Sequence, residues 1–214
     1  MSFSRNYRRR NGGLVLDQSL SAPRFSRSLR DGPDVSWLHR CRVGDDQGAE
    51  GACAIFAFAS WAEIVHGYDI SDADTLQVYR DTLSELGRPV GSGLSFAEAF
   101  VAAHKAGWLP GARGLAQAHD LSALPEQPIL AGYRVTPAFD NVNAAGCLDH
   151  AADNSIVRGY HAEVVVGHGR LQRFPSLTLV YKENSWGLPW AWNGIGILTE
   201  DLHRELVREL WLVR

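Results

Sequence analysis

Residues 52–66, ACAIFAFASWAEIVH, constrain this chain more than any other stretch. The window is apolar nearly all round, and a helix without a polar face has to be buried on every side. Gly67 supplies a C-terminal stop. The loop DDQGAEG runs straight into this segment and Cys53 follows two positions after its end, so a thiol stands where a loop becomes a buried helix. Enclosing a whole helix demands layers around it. A chain of 214 residues, 45% hydrophobic and 21% charged, can supply them as one domain or as one domain with two lobes.

The surrounding pattern supplies helices first and strands afterwards. A second helix is expected to open at Ser71, with Asp72 and Asp74 at its positive end and Gly87 closing it. Leu76, Tyr79, Leu83 and Leu86 fall at helical spacing on one face. GRPVGSG reads as a loop. Ser95 and Glu98 form a capping box for SFAEAFVAAHKAG, which ends at Gly107. Strand patterns follow in PILAGYRVT, YHAEVVVGHG, SLTLVYKENSW and GIGILTE, and EDLHRELVREL reads as a charged helix before an apolar end. The order implies an α+β fold with a helical lobe, holding the Cys-bearing helix, packed against an antiparallel sheet or partial barrel.

Residues 1–33 stand apart. Arg5, Arg8, Arg9, Arg10, Arg24, Arg27 and Arg30 face one acid, Asp17, within the first 30 positions. This reads as a basic, solvated arm that docks on an acidic partner or folds over a cleft, with the main domain over residues 34–214. No apolar segment follows the first charges, so a secretory signal is not expected, and no run approaches the roughly 20 apolar residues that cross a bilayer. The net charge of −3 names no partner. Nucleic acid is not expected either, because the arginines have no interleaved aromatics.

Three cysteines, Cys41, Cys53 and Cys147, suit a reducing compartment rather than a disulfide framework. One alternative places zinc between His39, Cys41, Cys147 and His150; otherwise no cofactor or metal is expected.

The chemistry starts from the thiol. A thiolate is the reactive form, and unpaired N–H groups at a helix start favour it. Gly51 and Ala52 before Cys53 would let a substrate backbone come close. A His partner would hold thiolate and imidazolium together, and His161 opens an apolar strand. Asn184 sits in a strand pattern that does not favour it, so if buried it needs a specific partner. Its amide oxygen could fix the imidazole tautomer, and Trp186 could shield that bond from water. Core packing of Cys53 and His161 is the competing reading.

Three stretches resemble the papain-like cysteine peptidases. DQGAEGACAIFAFAS is similar to the family's QGxCGSCWAF segment, GYHAEVVVGHG to its HAVxxVGYG segment, and KENSWGLPWAWNGIG to its KNSWGxxWGExGY segment. VSWLHR resembles the family's lead-in to the glutamine. The resemblance implies a two-lobe fold, with Cys53 as nucleophile, His161 as general acid and base and Asn184 as its orienting partner. It also implies an oxyanion hole from the Gln47 amide and the Cys53 backbone N–H. Gly93, Ala162 and Trp186 would be substrate-binding. The implied activity is a cysteine-type endopeptidase acting on protein or peptide substrates through a thioacyl intermediate. The lack of a signal segment, a helical propeptide and disulfides separately suits a cytoplasmic protein, or one delivered without a cleavable signal, of bacterial or phage type.

The departures are specific. Glu50 stands where the family usually has a disulfide-forming Cys, and Ala54 replaces the Trp that usually follows the nucleophile. The Cys53–His161 interval is shorter than the roughly 130–150 positions expected, which implies trimming between residues 108 and 158. The same triad would serve an acyltransferase or a deamidase, and a non-catalytic papain-like module in a larger assembly stays open.

Overall fold

The computed structural model describes residues 13–16, 34–143, 145–171 and 174–214. The expectations for the arm at residues 1–33 therefore lie outside the described residues, apart from positions 13–16.

The buried helix is α1, Cys53–His66. Every residue from Cys53 to Ile64 is buried, including Ser60 and Glu63. Those two polar groups are matched: Ser60 donates to Asp45 at 3.2 Å, and Glu63 accepts the Ile70 N–H at 2.9 Å. Gly67 closes the helix at φ 73°, a left-handed geometry that costs glycine little. α2 spans Asp72–Glu85 with Ser71 as its N-cap, and α3 spans Phe96–Lys105 with the Ser95–Glu98 capping box in place. The buried face of α2 is Thr75, Tyr79 and Leu83. Leu86 lies beyond the last turn and is exposed, which corrects its expected place on that face.

The second lobe is a seven-stranded sheet of β1 (Val35–Ser36), β2 (Leu115–Ala118), β3 (Ile129–Val135), β4 (Gly159–Leu171), β5 (Phe174–Glu183), β6 (Ile195–Thr199) and β7 (Val207–Val213). The order is β2-β7-β3-β4-β5-β6, with β1 on β4. Every pairing in it is antiparallel. The expected charged helix is shorter than its pattern: α4 covers Glu200–Leu206, and the chain then becomes β7. VRELWLV carries no simple alternation, and its ladders to β2 and β3 outweigh the helical charge spacing.

Two apolar cores result. One surrounds α1 with Phe58, Tyr79, Leu83, Phe96, Val164 and Val166. The other fills the sheet lobe with Tyr133, Phe139, Val165, Trp186, Trp190 and Leu210. Alternation along β4 feeds both, because successive side chains leave opposite faces. Among the described residues no helix is long and apolar enough to cross a membrane.

Candidate active site

Cys53 is the first residue of α1, following Ala52, which offers no capping side chain. Its sulfur is fully buried and lies within reach of the backbone N–H groups of Ala54, Ala162 and Gly13. Burial nevertheless pushes the thiol up to about 11, against the pull of those three donors. The helix start therefore does not by itself make a thiolate here: desolvation wins while the sulfur is covered.

His161 stands near the start of β4, one residue before the Ala162 N–H that reaches Cys53. Its Nε2 is 2.7 Å from Asn184 Oδ1, both side chains being buried. An amide oxygen only accepts, so this contact puts the proton on Nε2. Trp186 lies over the pair, its ring centroid 4.7 Å from that of His161 and its side chain 6% exposed. It therefore covers the His–Asn bond, with Phe139 and Trp190 behind it.

Gln47 reaches the same place from the helical side. Asp45–Gln47 pairs with 185–187 through Gln47 N–H to Ser185 O at 3.0 Å and Gly187 N–H to Asp45 O at 2.8 Å. The Gln47 side-chain amide accepts from the Ser185 hydroxyl at 2.8 Å and donates to Glu50 O at 2.7 Å. Those two bonds fix the amide plane and leave one N–H outside them. Glu50 is itself tied to α2 by its ion pair with Arg80. Ser185 was not singled out from the sequence, although the ENSW stretch places it beside Asn184.

Leu94 and Tyr160 form the two walls beside this cluster, and Gly13–Val15 lies between them. Val15 N–H donates to Leu94 O at 3.1 Å, whereas the Gly93 carbonyl accepts Arg88 at 3.1 Å. Backbone pairing at this wall is thus made by Leu94, the neighbour of the expected Gly93. Ala162 is buried in the helical-lobe core at 1% exposed and meets Cys53 through its backbone.

The zinc alternative is not assembled: among the described residues no three His, Cys, Asp or Glu gather as a metal site. All three cysteines are free thiols. A separate cavity of about 550 Å³ between α2 and α3, lined by Val78, Thr82, Leu86 and Val101, contains none of the residues above.

Beneath His161, the sheet core holds charge. Lys182 and Glu163 form an ion pair whose side chains are fully buried, and Lys182 Nζ sits 3.8 Å from the Phe139 ring centroid and 4.6 Å from that of Tyr133. Burial lowers Lys182 to about 8 and raises Glu163. Tyr133 and His203 meet at 2.8 Å, and burial lowers His203 to about 3. No sequence pattern pointed to these residues.

The chain has a papain-like α+β fold. It superposes on xylellain, a cysteine protease from Xylella fastidiosa, with TM-score 0.69, 17% identity and 97% of each chain covered. Procathepsin B S9 from Trypanosoma congolense gives 0.65 at 13% identity, covering 95% of this chain and 86% of that one. The proform of the ragweed cysteine protease Amb a 11 gives 0.64 at 15% identity, covering 91% and 70%. No family model and no curated protein matches the sequence.

Proposed function

We propose that this protein is a cysteine-type endopeptidase that hydrolyses peptide bonds with Cys53, His161 and Asn184. The observation that carries the reading is the buried 2.7 Å contact between His161 Nε2 and Asn184 Oδ1, within one residue of the N–H that touches the Cys53 sulfur. An imidazole whose Nε2 proton is held by an amide oxygen has Nδ1 left to exchange a proton with the thiol. Sulfur attacks the substrate carbonyl carbon, the C=O electrons move onto oxygen, and the proton from sulfur passes through His161 to the leaving amine. Water, deprotonated by His161, then releases the acid and restores the thiol.

The developing oxyanion would lie against the Cys53 backbone N–H and the Gln47 amide, whose plane Ser185 and Glu50 fix. One such donor is worth about 2.7–4 kcal/mol of barrier. The neighbouring structures are named as cysteine proteases, which favours hydrolysis over transfer to an amine or deamidation of a side chain.

The test pairs a peptide library, read by mass spectrometry, with an electrophilic epoxide that alkylates thiolates. Wild type is expected to cleave peptides and take one label at Cys53. Cys53→Ala should lose both, and His161→Ala should lose cleavage and label at least about tenfold more slowly. Equal labelling of wild type and His161→Ala overturns the reading. Products carrying an amine adduct or a deamidated side chain move it to the transferase or deamidase alternative.

A further inference from the structure

We infer, on the cysteine-peptidase reading of His161, that Glu163 is a positioning residue for the transferred proton: a carboxylate kept ionised behind the imidazole by Lys182, whose negative charge supports His161 in its protonated form.

The strand sets the placement. Side chains two apart along β4 leave the same face, so Glu163 follows His161 on the side that the sheet-lobe core covers. Val165, two further on, belongs to that core, whereas Ala162 and Val164 between them belong to the core around α1. Tyr133 stands opposite His161 across the β3–β4 ladder, and Lys182 opposite Val165 across the β4–β5 ladder. One face of the sheet thus carries the imidazole, the carboxylate and the ammonium.

The pair is built to be charged. Both side chains are fully buried, and Glu163 Oε2 accepts from Lys182 Nζ. Three rings surround that nitrogen, with centroids at 3.8 Å for Phe139, 4.6 Å for Tyr133 and 5.5 Å for Trp190. Ring faces attract an ammonium, and a buried ammonium needs a carboxylate beside it. The second oxygen, Oε1, is buried without a hydrogen-bond partner among the described residues. Lys182 therefore answers only part of the negative charge, and in a dry interior the remainder acts over several ångströms.

The surrounding groups leave that charge facing His161. Tyr133 Oη and His203 Nδ1 share a hydrogen bond at 2.8 Å, and burial keeps both uncharged near neutral pH, raising Tyr133 and lowering His203 to about 3. Glu200 and Arg204 on α4 pair with each other. Glu209 on β7 stands opposite Gly132, whose β4 partner is Ala162, so it serves the other face of the sheet. Glu183, next to Lys182, also leaves the other face. Cys53 lies on the Ala162 side of β4, yet Glu163 is one of the influences that push its thiol up. The carboxylate thus opposes a thiolate and favours an imidazolium. It shares its face with the imidazole and not with the sulfur, so its larger effect falls on His161, which holds the proton until the leaving amine takes it.

The test uses the full chain as wild type, Glu163→Gln, Glu163→Asp and the double variant Lys182→Met with Glu163→Leu. The His161 ring is titrated by NMR in a Cys53→Ala background, which uncouples it from the thiol, and kcat/KM for a peptide is followed against pH with Cys53 intact. Glu163→Gln is expected to move the His161 midpoint down by about one pH unit. The alkaline limb of kcat/KM should move with it, so that hydrolysis above the limb falls about tenfold. Glu163→Asp should keep the wild-type midpoint, and the double variant, with neither charge, should fall between wild type and Glu163→Gln. A loss of kcat/KM equal at every pH, with the midpoint unmoved, assigns Glu163 to packing alone and overturns the inference. Where Glu163→Gln fails to fold, the double variant decides: a wild-type midpoint there overturns it as well. A shifted midpoint in a protein that hydrolyses no peptide leaves the role of Glu163 standing and removes the peptidase reading instead.

Discussion

The two lobes solve the problem of burial in opposite ways. The core around α1 is almost entirely apolar, with Phe58 edge-on to Phe96 and Phe100 and alanines filling the gaps. The sheet lobe instead buries the Lys182–Glu163 ion pair and His203 among its aromatics. Cys53 is therefore carried by a helix packed among apolar side chains, and the His161 imidazole by a strand backed with the Lys182–Glu163 ion pair. Close-packed apolar cores hold atoms in place through shape, whereas a buried charge network holds them only while every partner is present. The lobe that would handle the proton is the one whose packing depends on charge.

Removing a partner in the sheet lobe should break this contrast most visibly. Lys182→Met leaves Glu163 buried and uncompensated, which is expected to cost about 3–5 kcal/mol in denaturant unfolding. Adding Glu163→Leu should return most of that loss. If Lys182→Met alone is neutral, the lobes do not differ in the way described.

The seam between the lobes should respond to pH. Glu183 at the end of β5, Glu63 on α1 and Asp45 in the preceding loop are raised by burial to about 8, 7 and 6. Raised carboxyls hold protons in the folded state that the unfolded chain releases, so their stabilisation is complete below about pH 4.5 and is lost as pH rises through these values. His203 acts the other way, but only below its ordinary value of 6.5, and Lys182 does so only above about 8. Between pH 6.5 and 8 stability should fall, Glu183 alone contributing up to about 1.4 kcal/mol per pH unit. Melting of Glu183→Gln should show a flatter slope across that window.

The smallest effect belongs to the apolar lobe. Ile55→Val removes one buried methyl group, is expected to cost about 0.5–1.5 kcal/mol, and should leave hydrolysis unchanged. A larger loss of activity than of stability would show that α1 does more than position its sulfur.

Local patterns were enough for the parts of the molecule that are local. The apolar window fixed α1, Ser95 and Glu98 announced their capping box, and three stretches pointed to Cys53, His161 and Asn184. What stayed hidden depends on distant partners. The start of β7 reads as helix because it continues the charged run EDLHRELVREL, and only its ladders to β2 and β3 make it a strand. β2 spans only four residues and has too little pattern to read. Lys182 and Glu163 look like surface charges in one dimension; register across β4 and β5 turns both inward. Leu14 was obscured by the arginines on either side of it.

Glu50 also shapes how the loop ahead of Cys53 is fastened. It is joined to Arg80 by a partly solvated ion pair, and the nearby thiols are uncrosslinked. Such a solvated fastening contributes little to stability and weakens as electrolyte is added. A reductant has nothing to cut at this joint, whereas concentrated salt loosens it. The stretch from Glu50 to Cys53 thus answers to ionic strength rather than to redox poise.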